Sequence, residues 1–151
     1  MGGASHAHNR IVSNLVFELR RALGDGRCYP LSSDMRVRVA ESRYVYPDVV
    51  VVCGEAELED GDTLLNPTLV IEVLSESTEA YDRGAKFAHY RGLATLREYV
   101  LVSQHERRIE QYVREADGPW RLSEFLAGRL ELPSLGAGVA IDAVYLGTRL
   151  G

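Results

Sequence analysis

Leu69-Val70-Ile71-Glu72-Val73-Leu74 is an apolar run broken by a single carboxylate. A strand with one wet face alternates apolar and polar residues. This run does not, so it reads as a strand covered on both faces, inside a sheet sandwiched between other layers. Val49-Val50-Val51-Val52-Cys53, led in by Tyr46-Pro47-Asp48, and Glu98-Tyr99-Val100-Leu101-Val102 read the same way. After Leu74, Ser75 to Thr78 offers helix caps, and a helix is predicted from about Asp82 to Arg91. That helix makes the connection from Leu69–Leu74 to Glu98–Val102 a right-handed crossover.

Towards the N-terminus, Ile11, Leu15, Leu19 and Leu23 recur at helical spacing with Arg10, Arg20 and Arg21 off the stripe, and Gly24-Asp25-Gly26 ends that helix. Met35-Arg36-Val37-Arg38-Val39 alternates strictly and Glu41-Ser42-Arg43 reads as a turn, so the stretch into Val49–Cys53 is the predicted hairpin partner. Towards the C-terminus, Asp117-Gly118 turns a hairpin between Ile109–Val113 and Trp120–Leu122, and Gly138 to Leu146 is predicted as a final strand. The sum is an α/β fold with a central mixed sheet flanked by helices.

The 151 residues fit one domain over 1–151, large enough to bury about two thirds of its unfolded surface. A net charge of -5 argues against a general polyanion binder. Apolar runs are too short to span a bilayer and no secretory signal is read at the start, so the expected location is the cytoplasm, without membrane association. Cys28 and Cys53 lack metal-ligand spacing, and reduced, mostly buried thiols are expected. His6, His8, His89 and His105 do not make a zinc site, and His8 reads as a helix-entry residue.

Glu72 needs compensation, because an unpaired carboxylate in a buried strand costs several kcal/mol, roughly. Asp48, at the head of its own strand, has the same need. If the strands are neighbours, the two carboxylates repel unless they share a cation, and magnesium takes oxygen ligands from one or two carboxylates while keeping waters. Lys86 is the single lysine among 17 basic residues. Its compact ammonium suits a place beside a metal-bound water, favouring that water's attack on a phosphodiester.

Tyr46-Pro47-Asp48 followed by Glu72-Val73-Leu74 resembles the PD-(D/E)XK signature of restriction-endonuclease-like nucleases, with Leu74 where the lysine belongs and Lys86 supplying the ammonium from the following helix. With Ser33-Asp34-Met35-Arg36-Val37, Tyr81-Asp82-Arg83-Gly84-x-Lys86-Phe87-x-x-Tyr90 and Leu96-Arg97-Glu98-Tyr99, the chain resembles the Uma-two family of restriction endonucleases from about His8 to about Tyr145. The resemblance implies a restriction-endonuclease-like fold and phosphodiester hydrolysis with Mg2+ or Mn2+, with DNA as the expected substrate. Asp48, Glu72 and Lys86 are then catalytic, with Asp48, Glu72 and the Val73 carbonyl as metal ligands. Asp34 matches a further acidic position, Tyr90 lies a helical turn from Lys86 and could support it, and Glu18, near the stripe of the first helix, could point towards the metal. Two nicks in a duplex need two sites, which implies a homodimer. Family members carry a helix and a Glu-containing hairpin before the segment equivalent to Gly3-Ala4-Ser5, and this chain begins without them, so a sheet edge or part of the site is expected to lie uncovered.

Plainer readings stand beside these. Lys86 could be an exposed pair with Asp82, Glu72 an ion pair with an arginine, and Asp48 an acceptor of backbone N–H groups. Arg36, Arg38 and Arg43, and Arg107, Arg108 and Arg114, could track phosphates or form solvated faces. The eight tyrosines and Trp120 read as core or dimer contacts rather than base-stacking platforms, for which they are too dispersed. The competing functions are a catalytically inactive nuclease-fold domain that binds nucleic acid or a protein partner, and one half of a larger assembly.

Overall fold

The computed structural model describes residues 4–151. Its elements run α1 (His6–Leu23), β1 (Cys28–Ser32), β2 (Arg36–Ala40), β3 (Arg43–Val45), β4 (Val49–Cys53), β5 (Leu58–Glu59), β6 (Thr63–Leu64) and β7 (Leu69–Leu74). They continue with α2 (Glu79–Arg83), α3 (Ala85–Arg91), β8 (Glu98–Ser103), β9 (Ile109–Arg114), β10 (Trp120–Phe125), β11 (Arg129–Leu132), β12 (Ala137–Ala140) and α4 (Ile141–Val144). Six strands form the main sheet in the order β1-β4-β7-β8-β9-β10. Only β7 and β8 run parallel, joined through α2 and α3; the other neighbours are antiparallel. The mixed α/β architecture expected from the sequence is the one observed.

Unbroken apolar strands are needed because both faces of this sheet are covered. Val49 and Val51 of β4, and Leu69, Ile71 and Val73 of β7, pack with Ile11, Leu15 and Leu19 of α1. Val50 and Val52, with Val70 and Leu74, face the opposite core around Phe87, Tyr90 and Tyr99. Glu72 therefore points to the second face, the side of α3. No helix among the described residues is long and apolar enough to cross a membrane.

Four expectations are corrected. The hairpin partner of β2 is the short β3, while β4 pairs instead with β1 and β7 in the main sheet. β1 is not legible as a strand, because Cys28-Tyr29-Pro30-Leu31-Ser32 carries a proline and no alternation; it lies at the sheet edge, where a missing N–H is tolerated. The last predicted strand is β12 followed by α4, and the crossover helix breaks at Gly84, where a side chain would sit 3.2 Å from the Ala80 carbonyl. Finally, Cys28 and Cys53 are joined in a disulfide rather than free: the antiparallel register sets them directly opposite one another.

Candidate active site

The β4–β7 ladder stops at Val49↔Ile71, and side chains take over the next rungs. Val73 N–H donates to Asp48 Oδ2 at 2.8 Å, and Asp48 N–H donates to Glu72 Oε1 at 3.1 Å. Each carboxylate thus accepts the backbone N–H of the other strand, which holds both acids at one end of the sheet. The plain reading of Asp48 as an acceptor of backbone N–H is part of its geometry.

Lys86 Nζ is in direct contact with Glu72 Oε2 and lies 3.9 Å from Asp82 Oδ1. Its side chain is 13 % exposed and that of Glu72 3 %, so neither the exposed Lys86–Asp82 pair nor an arginine partner for Glu72 describes this site. Tyr90 Oη donates to the same Glu72 oxygen at 3.3 Å, from one helical turn beyond Lys86. Tyr99 Oη donates to the Asp82 carbonyl at 2.9 Å and anchors α2 to the sheet.

Electrostatics follow from this crowding. Burial, partly offset by the Lys86 charge, pushes Glu72 up from 4.5 to about 7. Burial alone works to lower Lys86, yet the charge and hydrogen bond of Glu72 outweigh it and hold the ammonium above its ordinary value. The direction that follows from geometry is an ammonium that stays charged, facing a carboxyl that gives up its proton reluctantly. Burial likewise raises Asp82.

Near the N-terminal end of α1, the Asp48 hydrogen bond raises His8, against desolvation. His8 Nε2 lies 3.1 Å from Asp48 Oδ1, and His8 Nδ1 is buried without a partner. The helix start is tied down by Gln104, which donates from Nε2 to the Leu74 carbonyl at 2.9 Å and accepts at Oε1 from Ser5 Oγ at 2.6 Å. Ser5 in turn caps α1 through the His8 N–H at 3.0 Å.

These side chains surround a cleft of about 540 Å³, lined by Asp48, Glu72, Val73 and Lys86 among the residues singled out from sequence. Tyr90 stands behind it. Asp34 does not line the cleft: it lies in an exposed turn whose Ser33 N–H donates to the Asp48 carbonyl at 3.2 Å. Glu18 is corrected outright, since it pairs with Arg21 at 2.6 Å on α1, roughly 15 Å along the helix axis from His8 at the helical rise. Sequence reasoning missed His8, Asp82 and Gln104, all of which line the cleft. For His8 a signal existed, because it precedes Ile11, Leu15 and Leu19 on the same helical stripe. Gln104 carried none.

Arg36, Arg38, Arg107, Arg108 and Arg114 have structural partners. Arg38 pairs with Glu59 at 2.6 Å, and Arg36 reaches Asp62 at 3.3 Å and Thr63 Oγ1 at 2.7 Å. Arg83 pairs with Glu79 and Glu110, Arg107 with Asp142, and Arg114 donates to the Leu96, Leu93 and Arg91 carbonyls.

A pH dependence follows. The folded-state value of Glu72 is raised above the ordinary 4.5, so its contribution to stability is complete below that pH and is lost as pH rises through about 7. Metal-free wild type is expected to lose stability over that interval relative to Glu72→Gln, by about 1–3 kcal/mol. Urea unfolding of both proteins at about pH 5 and about pH 8 reads the difference. A constant difference would contradict the burial-raised carboxyl.

The Uma2 family profile, described as "Putative restriction endonuclease", matches residues 1–143. Two proteins of Synechocystis sp., both described as uncharacterized, are 38% identical: slr1290 over 149 residues, covering 97% of this chain and 78% of the relative, and sll1609 over 135 residues, covering 87% and 76%. A crystal structure from Anabaena variabilis, described as "a putative nuclease belonging to DUF820", superposes with a TM-score of 0.76 at 15% identity, covering 95% of this chain and 83% of that one. At that identity the structural likeness speaks for the fold.

Proposed function

Because this chain belongs to the Uma2 family, whose description is "Putative restriction endonuclease", we propose that it hydrolyses phosphodiester bonds of nucleic acid in a metal-dependent reaction, with DNA as substrate. The observation that carries this reading is the convergence of Asp48, Glu72 and the only lysine of the chain in one cleft.

The donor set suits a hard divalent cation. Asp48 and Glu72 offer carboxylate oxygens, and Mg2+ needs only one or two of these beside waters. Among the described residues no group of three or more His, Cys, Asp or Glu side chains is placed to hold a metal ion, so waters would have to fill the remaining positions of such an ion. Asp48 and Glu72 would hold the ion, with the Val73 carbonyl as a third ligand. The chemistry such a cation supplies when bound is stabilisation of phosphoryl charge and a lowered pKa for bound water.

The protein's own groups do the rest. Lys86 keeps its proton and presents a fixed positive charge where negative charge develops on the phosphate. Tyr90 and the Asp48 N–H hold the Glu72 carboxyl in place. The Val73 N–H and His8 fix both oxygens of Asp48. Cutting both strands of a duplex requires two such clefts, which a homodimer supplies.

One observation favours a second reading, binding without cutting: each oxygen of both carboxylates already has a donor within the protein. Plasmid cleavage separates the two. Wild type is expected to cut with Mg2+ or Mn2+ and to stop with EDTA. Absence of metal-dependent cutting, with nucleic acid still bound, would move the assignment to the binding domain.

A further inference from the structure

Two exposed tyrosines stand on the wall of the same cleft. Tyr46 is 53% exposed and Tyr81 47%, and both line it with Asp48, Glu72 and Lys86. They come from segments 35 positions apart in sequence, before β4 and within α2. Most other tyrosines have evident structural work. Tyr90, Tyr99 and Tyr145 are fully buried, Tyr112 packs against Phe87, and Tyr44 bonds Glu59 and lies under Arg36. The aromatic pairs of the described residues all lie around Phe87 and Tyr99 in the core, and no arginine lies over the ring face of Tyr46 or Tyr81, although the Tyr46 hydroxyl meets the Arg36 guanidinium.

The charges of the cleft say what these rings are for. Its lining holds three acids, Asp48, Glu72 and Asp82, against Lys86 and His8, and no arginine. Lys86 already faces Glu72 and Asp82, and His8 faces Asp48. Attraction of phosphates by free cations, the usual source of nucleic-acid affinity, is therefore weak here. Ring faces remain, with the hydroxyls of Ser75, Ser77 and Thr78 on the same wall. A nucleobase inside a duplex has its π-faces hidden by its neighbours, so an aromatic ring can stack only on a base that has left the stack. A volume of about 540 Å³ is room for a compact ligand unit such as one nucleotide.

We propose that Tyr46 and Tyr81 form a stacking clamp for an unstacked nucleotide at the mouth of the cleft, so that the preferred ligand is single-stranded or flared nucleic acid rather than intact duplex. The inference rests on the nucleic-acid reading of the site given above.

The test measures binding and cutting separately. A labelled oligodeoxynucleotide of about 16 nucleotides, alone and annealed to its complement, is titrated with wild type, Tyr46→Ala, Tyr81→Ala and the two Tyr→Phe variants. Fluorescence anisotropy is read with Ca2+ in place of Mg2+, and cutting of the same two ligands is followed with Mg2+. Expected is tighter binding of the single strand, weakened about tenfold by each alanine and retained by each phenylalanine, as stacking on a ring face requires. Equal or tighter binding of the duplex, alanine variants that bind like wild type, or no binding of either ligand would each overturn the clamp. Duplex cutting with no single-strand preference would sink the clamp and leave the nuclease reading standing. A ring-dependent single-strand preference without any cutting would support the clamp and sink the nuclease.

Discussion

Lys86→Ala is expected to reduce cleavage to background, a loss of about 10²- to 10³-fold or more, the scale of removing one preorganised charge-stabilising group. Lys86→Arg is expected to lose most activity too, because a planar guanidinium cannot occupy the place of a compact ammonium between Glu72 and Asp82. The fold should survive. Stripping the partner from a buried charge costs about 3–5 kcal/mol when the charge has no escape. Glu72 has one, since its carboxyl already sits at about 7 and takes a proton more readily once the ammonium is gone. The variant's stability deficit should therefore be small in acid and grow as pH rises through the further-raised value. Cleavage assays and thermal melts across pH read both effects; wild-type turnover in a preparation free of contaminating nuclease would remove Lys86 from the mechanism.

Asp48→Ala should lose cleavage and stability together, whereas Asp48→Asn should lose cleavage alone. The alanine removes the acceptor of the Val73 N–H, a rung that replaces the missing ladder bond between β4 and β7. An orphaned buried donor costs about 1–3 kcal/mol. The asparagine amide oxygen can still accept that N–H, so its melt should stay close to wild type while the charge needed for the cation is gone. In the alanine variant His8 also loses the hydrogen bond that raises it above the ordinary 6.5. Its stabilising contribution, complete below that value and lost as pH rises through the folded one, should vanish. An NMR titration of the His8 ring reports this directly. Matching melts for the alanine and asparagine variants would show that the rung contributes nothing to stability.

The residues of the site were unequally legible, and the difference is physical. Glu72 announces itself because a carboxylate in an otherwise apolar strand demands a partner, and Asp48 and Lys86 follow from the same demand together with the family's motifs. His8 lies on the helical stripe of α1 and could have been found there, but Asp48, its partner across 40 residues, could not. Asp82 read as half of a surface pair because helical spacing says who is near and not how deep they lie; Tyr99 and the sheet bury it. Arg36, Arg38, Arg107 and Arg108 looked free, and their acids arrive from β5, α2, β9 and α4 or the segments beside them.

The same division runs through the fold. Local pattern was enough for α1, for the unbroken strands β4, β7 and β8, and for the hairpin of β9 and β10, since periodicity and turn chemistry are properties of neighbouring residues. It was not enough for the pairing of β4, whose partner is the unalternating edge strand β1, or for the Cys28–Cys53 bond that this register produces. By itself, then, the sequence determined a two-faced mixed sheet, an acidic pair on its central strands and a lone lysine after them, because burial and charge must be reconciled wherever those residues sit. Only the tertiary structure decided that His8, Asp82, Gln104 and two distant tyrosines share one cleft with them. Which side chains meet across such separations depends on strand register and helix docking, and no local pattern encodes either.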